Sequence, residues 1–242
     1  MAVANSARDV GVVIVAAGAG TRASGAAAPE LNAPELKQFR WVGGKPMLLH
    51  SVQRFQERPD VAMVVCVLPR AYVGDPPPWL MQADLDRLLI SVGGPTRQDS
   101  VANGVADLPG EVEIIVVHDA ARPLVSAATI DAVIAVARSG RGAVAGLPVV
   151  DTLKEVGADG AIARTVERTG LWRAQTPQAF PKAALLRAHD AARRDRVSAT
   201  DDAALCERIG FPVVVVRGSE RAMKITDEAD FARADALAPL PE

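Results

Sequence analysis

The chain has 242 residues, 49% hydrophobic and 23% charged, enough to bury a full core and too apolar for a disordered chain. Lys and Arg number 27 against 29 Asp and Glu, a formal charge of -2, so no net basic field points to nucleic acid and any anion site must be a local cluster. The two cysteines, Cys66 and Cys206, stand far apart with no CxxC, which argues against a disulfide scaffold or a zinc site and fits buried thiols in a reducing compartment.

The first apolar stretch, Val10 to Gly20, is too short to span a bilayer. Rich in β-branched residues, with Arg8 balanced by Asp9, it reads as the first buried strand of a cytoplasmic protein rather than a signal-peptide core. Similar runs at Val10 to Ala16, Val61 to Leu68, Leu88 to Val92, Ile114 to Val117, Ala143 to Val149 and Val213 to Val216 suit strands buried on both faces. Between them, helical spacing puts Leu48, Leu49, Val52 and Phe55 on one face, and Ile130, Val133, Ile134 and Ala137 on another. Strand and helix alternate, so the class is α/β with a mostly parallel sheet, expected as a single domain over residues 1–242, with ligands at the carboxyl ends of the strands. Residues 150–172 break the alternation. Asp151 to Val156 and Ala161 to Val166 flank Gly157-Ala158-Asp159-Gly160, a hairpin with an Asp-Gly turn. Its small apolar surface predicts a protruding arm packed on a second subunit, with an edge hairpin of the same domain as the alternative.

Four constellations carry chemistry. After the first strand come Ala16, Ala17, Gly18, Ala19, Gly20, Thr21 and Arg22, with Lys37 beyond; glycines there turn backbone N–H groups toward a phosphate, and the two cations add charge-assisted contacts. Gly18, Gly20 and Ala23 also satisfy GxGxxA, but Gly25, Pro29 and Pro34 forbid the long helix a dinucleotide fold needs, and Gly43-Gly44-Lys45-Pro46 lacks the Ser or Thr of a Walker A loop. The second is Gly93, Gly94, Pro95, Thr96, Arg97 and Ser100, opening a helix, whose donors would face the same crevice and suit a base edge; the plainer alternative is a capped helix start. The third is His118-Asp119-Ala120-Ala121-Arg122-Pro123. A carboxylate at a buried strand end is costly unless it binds something, so Asp119 is the candidate for a divalent metal or a ribose hydroxyl, or else a turn residue paired to Arg122. His118 is read as structural, since a phosphate nucleophile is already largely ionised near neutral pH. In the fourth, Arg221 to Asp227, Thr226 is expected to cap the next helix, and Lys224, between apolar Met223 and Ile225, to deliver a second cation to the phosphates.

Taken in order, these blocks, with Asp151-Thr152-Leu153-Lys154, Arg168-Thr169-Gly170-Leu171-Trp172 and Gln175-Thr176-Pro177-Gln178, resemble the 2-C-methyl-D-erythritol 4-phosphate cytidylyltransferases along nearly the whole chain. The resemblance implies a Rossmann-like nucleotidyltransferase fold, CTP as substrate, Mg²⁺ or another divalent cation, and a homodimer whose arms complete each other's sites, with no nucleic-acid or membrane partner. It makes Arg22, Lys37 and Lys224 the catalytic cations. Ala16, Ala17, Gly18, Ala19 and Gly20, then Gly93, Gly94, Arg97, Ser100, Asp119 and Ala120, would bind the nucleotide. Arg122, Thr152 and Arg168 would bind the acceptor. Two departures stand out: Pro95 replaces the usual acidic residue after the paired glycines, and the loop between Arg22 and Lys37 is longer and richer in Ala and Pro. Rival readings are a cytidylyltransferase for another polyol phosphate such as ribitol 5-phosphate, a non-catalytic nucleotide-binding regulator and, last, a dinucleotide-dependent dehydrogenase.

Overall fold

The computed structural model describes residues 8–18 and 36–241. The chain runs through β1 (Val10–Val15), a small ribbon of β2 (Trp41–Val42) and β3 (Lys45–Pro46), then α1 (Met47–Gln56), β4 (Val61–Leu68), β5 (Leu88–Val92) and α2 (Arg97–Ala106). Next come β6 (Ile114–Asp119), α3 (Ala127–Arg138), β7 (Gly142–Pro148), β8 (Leu153–Val156), β9 (Ile162–Val166) and β10 (Trp172–Pro181). It ends with α4 (Lys182–Asp195), α5 (Asp202–Arg208), β11 (Val213–Arg217) and α6 (Glu228–Leu237).

Seven strands form one sheet in the order β11-β7-β10-β6-β1-β4-β5, parallel except for β10, which runs antiparallel to both neighbours. The continuous Val and Ile runs of β1, β4 and β6 explain their central places: helices cover both faces, so no position of β6 meets solvent. On one face Ile14, Val116 and Ala143 pack under Leu48, Leu49, Val52 and Phe55 of α1 and Ile130, Val133 and Ile134 of α3. On the other, Val13, Val65 and Ile115 meet Val101 of α2, Leu185 of α4 and Leu205 and Cys206 of α5. Gly104 lets α2 come close, because a Cβ there would stand 2.6 Å from the Val13 side chain. A third cluster, Val42, Met47, Ile225, Phe231 and Ala234, seats the β2–β3 ribbon against α6 and the segment before it.

The six strands and two helical faces expected from periodicity are present, with ends shifted by a residue or two. Strand β10 escapes that logic. Its sequence, WRAQTPQAFP, carries two prolines and three polar residues that are buried yet satisfied: Gln175 Nε2 donates to Ser219 O at 3.0 Å, and Gln178 donates to Asp201 and accepts from Ala203 N. The β8–β9 hairpin is a separate two-stranded sheet with Gly160 at φ +81° in its turn, as the Asp-Gly signal predicts. It carries Val156 and Ile162 at 54% and 62% exposure.

Candidate functional site

The sheet places the carboxyl ends of β1, β4 and β6 side by side: Val15 pairs with Val67 and with Asp119, Ala16 N donates to Val67 O at 2.9 Å, and Ala120 N to Val15 O at 3.1 Å. From β1 the chain passes to β4 on one side and, after β5 and α2, returns to β6 on the other. The crevice lies at this switch in strand order, where open α/β sheets hold ligands. Ala16, Ala17 and Gly18 leave β1 at its edge, while Ala19, Gly20 and Arg22 lie outside the described residues. Gln38 Nε2 donates to Ala16 O at 2.6 Å and Lys37 Nζ donates to Ile225 O at 2.8 Å, so this short turn ties the first loop to the segment bearing Lys224.

Asp119 is the hub. Only 9% exposed, it takes Lys224 Nζ on Oδ2 at 2.8 Å and Arg97 Nε on Oδ1 at 3.4 Å. Burial alone would raise its carboxyl, but Arg97 and Lys224 outweigh burial and hold it far below the ordinary carboxylate range. Its partners are therefore these two cations rather than Arg122, whose backbone N–H merely closes the turn on Asp119 O. The chain of charges continues inward: Arg97 Nη1 meets Asp202 Oδ2 at 2.8 Å, and Asp202 Oδ1 meets His189 Nε2 at 3.0 Å. Asp202 is 1% exposed; burial would raise it, yet His189 and Arg97 leave it lowered. Nothing in the sequence marks Asp202 or His189, because an Asp pair before a helix reads as a cap. Asp201 is that cap, accepting from Ala204 N, and Asp202 turns into the core.

His118 is structural, as its sequence reading has it. Buried, it holds Nε2–H toward Arg122 O at 3.1 Å and takes the Thr176 hydroxyl on Nδ1 at 3.1 Å, while Asp119 N donates to the same hydroxyl at 3.0 Å. Burial pushes its pKa down to about 4, so the ring is neutral. Thr176 thus fixes the hub's backbone from β10, where the register shifts between Ala174 and Gln178. Arg122 is also buried: Nη1 donates to Ala222 O at 2.7 Å, Nε has no partner among the described residues, and burial lowers its pKa.

The paired glycines behave differently from their sequence reading. Gly93 N donates to Leu68 O at the end of β4, Gly94 N to Ser100 Oγ at 3.1 Å, and Ser100 Oγ to Thr96 O at 2.9 Å, so the first donor is spent on the neighbouring strand and the other two inside the turn rather than aimed into the crevice. The reason is the capping box of α2, in which Thr96 and Asp99 exchange bonds. What Gly93 contributes is close approach: a Cβ there would stand 2.2 Å from that of Ala17. The cap of α6 is likewise Asp227, boxed with Asp230, and not Thr226, whose N–H and hydroxyl both donate to Asp230. Thr152 and Arg168 sit exposed at the base of the arm, with Arg168 donating to Val150 O.

Among the described residues no three His, Cys, Asp or Glu side chains converge on a common point, so a divalent cation would find one protein carboxylate here, Asp119, whose Oδ1 is the more loosely held oxygen. That suits Mg²⁺, which takes one or two carboxylates and fills its shell with water and substrate phosphates.

Comparisons with known proteins point to one family. The family model described as 2-C-methyl-D-erythritol 4-phosphate cytidylyltransferase matches residues 10–239. The chain is 40% identical over 229 residues to a protein of that name from Salinibacter ruber, covering 94% of this chain and 92% of that one. It is 44% identical over 233 residues to the bifunctional enzyme IspD/IspF of Rhodospirillum rubrum, covering 94% of this chain and 56% of the relative, so it spans about half the length of such bifunctional relatives. The crystal structure of 2-C-methyl-D-erythritol 4-phosphate cytidylyltransferase from Thermus thermophilus superposes with a TM-score of 0.76 at 35% identity, over 96% of this chain and all of that one.

Proposed function

The chain belongs to the 2-C-methyl-D-erythritol 4-phosphate cytidylyltransferase family, and we propose that it transfers the cytidylyl group of CTP to 2-C-methyl-D-erythritol 4-phosphate, forming 4-diphosphocytidyl-2-C-methyl-D-erythritol in the non-mevalonate route to isoprenoid precursors. The observation that carries this reading is the Lys224–Asp119–Arg97 row at the switch in strand order, beside the loop that leaves β1. An oxygen of the acceptor's phosphate attacks the α-phosphorus of CTP; a P–O bond forms there, the bond to the β-phosphate oxygen breaks, and its electron pair leaves with pyrophosphate. The nucleophile is already an anion, so no base is needed, which accords with a neutral, buried His118.

The task is then to bring two anions together. Arg22, Lys37 and Lys224 neutralise charge growing on the α-phosphate and the leaving group. Asp119 would hold Mg²⁺, which supplies further charge neutralisation when bound. The loop Ala16 to Gly20 cradles the phosphates, Gly93, Gly94, Arg97 and Ser100 shape the base pocket, and Asp119 and Ala120 take the ribose. Arg122 contacts the acceptor's phosphate, and Thr152 and Arg168 of the arm reach the acceptor bound to a second copy, so the working form is a cytoplasmic homodimer. No helix among the described residues is long and apolar enough to cross a membrane.

The test is pyrophosphate release with Mg²⁺ and each nucleoside triphosphate, offering 2-C-methyl-D-erythritol 4-phosphate or ribitol 5-phosphate. Release that needs CTP and the methylerythritol phosphate is expected. Release with ribitol phosphate alone would reassign the acceptor, and CTP binding without any release would replace the enzyme reading with a regulatory one.

A further inference from the structure

Away from the crevice, a cavity of about 110 Å³ opens between α1, the loop after β6 and the segment before Lys224, several times the space one water needs. Lys45, His50, Gln53, Arg54, Glu57 and Arg221 line it; Asp119, Arg97 and Lys224 do not. Among the described residues the lining thus carries three cations, an imidazole and one carboxylate, Glu57, which Arg54 engages at 3.3 Å. Lys45 and Arg221 meet neutral acceptors: Lys45 Nζ donates to Gln53 Oε1 at 2.7 Å, and Arg221 Nη1 to Pro241 O at 3.1 Å. The Nε of Arg221 is buried with no partner among the described residues, a cost that protein interiors rarely tolerate without a ligand.

His50 faces the same cavity. Its Nε2 lies 2.7 Å from Val42 O, an acceptor only, so Nε2 carries the proton of the neutral ring and Nδ1 is left as an acceptor. Burial, then repulsion from Lys45 and Arg54, keeps its pKa below the ordinary value. Lys45, Arg221 and His50 share a half-enclosed polar cavity, and an anion entering it would give each of them a charge-assisted hydrogen bond in place of a neutral or missing one.

We propose that this cavity is a binding site for a phosphate-type oxyanion, separate from the nucleotide crevice and gripped by Lys45, Arg221 and protonated His50. The site sits behind the loop that holds Arg122: Arg221 leads into Ala222, whose carbonyl accepts from Arg122, and Pro123 and Leu124 form its wall. An anion there joins α1 to the segment that carries Lys224.

The chain has three histidines, and the other two, His118 and His189, are buried, so ring-labelled NMR isolates His50. The titration is run on full-length protein saturated with the proposed product, 4-diphosphocytidyl-2-C-methyl-D-erythritol, without divalent cation, so that both the nucleotide and the acceptor positions of the crevice are filled. Inorganic phosphate should raise the His50 pKa saturably, and Lys45→Gln or Arg221→Gln should weaken phosphate binding about tenfold each, the value of one charge-assisted hydrogen bond. Pyrophosphate in a parallel arm tells whether the larger product anion fits. An unchanged His50 pKa in millimolar phosphate, or an equal response to chloride at the same ionic strength, would overturn the site. Unaltered binding in both variants, checked as folded by circular dichroism, would also overturn it.

Discussion

Asp202 is 1% exposed and answers both Arg97 and His189, whereas Glu155, in the arm, pairs with Arg164 while both side chains stay more than half exposed. The crevice and the arm therefore use charge for different ends. In the crevice the carboxylates Asp119 and Asp202 have been taken out of water, so they are met by cations from distant elements, and Asp119 ties β6 both to α2 and to the segment after β11. In the arm, bonds are local and screened, and the apolar residues Val150, Val156 and Ile162 stay more than half exposed among the described residues. One region is held by partners within the chain, and the other carries apolar surface that the proposed homodimer would cover.

The comparison can be broken first at its buried end. Removing the carboxylate in Asp202→Ala leaves Arg97 with Asp119 alone and should cost about 3–5 kcal/mol of stability in urea unfolding. A loss below about 1 kcal/mol would mean that the row of charges is not coupled.

Acid should act next. His118 is neutral when folded, with its pKa lowered to about 4 from an ordinary 6.5, so the unfolded chain binds an extra proton between those values. Stability is then fully present above about pH 6.5 and falls as pH drops toward 4, by roughly 3 kcal/mol in all. Asp119 and Asp202, both lowered, add losses only below the ordinary carboxylate range. Unfolding at about pH 7 and about pH 4.5 should show this slope in the wild type and a shallower one in His118→Asn, with His50 contributing the remainder in the same direction.

Catalysis follows. Lys224→Ala and Lys37→Ala should still fold, checked by circular dichroism, and lower kcat on the order of 10²-fold each in a pyrophosphate-release assay. Wild-type turnover in both would sink the assignment of cations. At the exposed end, Arg164→Ala should change stability by less than about 0.5 kcal/mol, and a larger loss would show that the arm is tied to the body more firmly than its contacts indicate.

What the sequence discloses follows the same division. Long apolar runs disclosed β1, β4 and β6, and helical spacing disclosed α1 and α3, because both patterns record which faces are buried. Asp119 was legible as a carboxylate at the end of a buried strand, and Lys224 as a lysine between apolar neighbours after the last strand. Strand β10 was not, since its buried glutamines and Thr176 are satisfied by partners far along the chain, information that no local window holds. Asp202 was hidden for a related reason: one of two adjacent aspartates caps a helix and the other enters the core, and only the fold says which. Gly93, Gly94 and Ser100 stand out by residue type, but in this structure Gly93 N is spent on Leu68 O of β4 and Gly94 N and the Ser100 hydroxyl inside the turn that opens α2, a distinction of hydrogen-bond direction that residue types do not encode.

The claim that a rigid crevice in one chain works with an arm from another is tested most directly by subunit complementation. Lys224→Ala, with a disabled crevice, is mixed with Arg168→Ala, with a disabled arm, under conditions that let subunits exchange, and pyrophosphate release is measured. The account predicts activity well above the sum of the two variants alone, because hybrid dimers contain one site with an intact crevice and an intact arm. Activity that stays at that sum, with exchange verified by mass, would contradict it and place the arm over the crevice of its own chain.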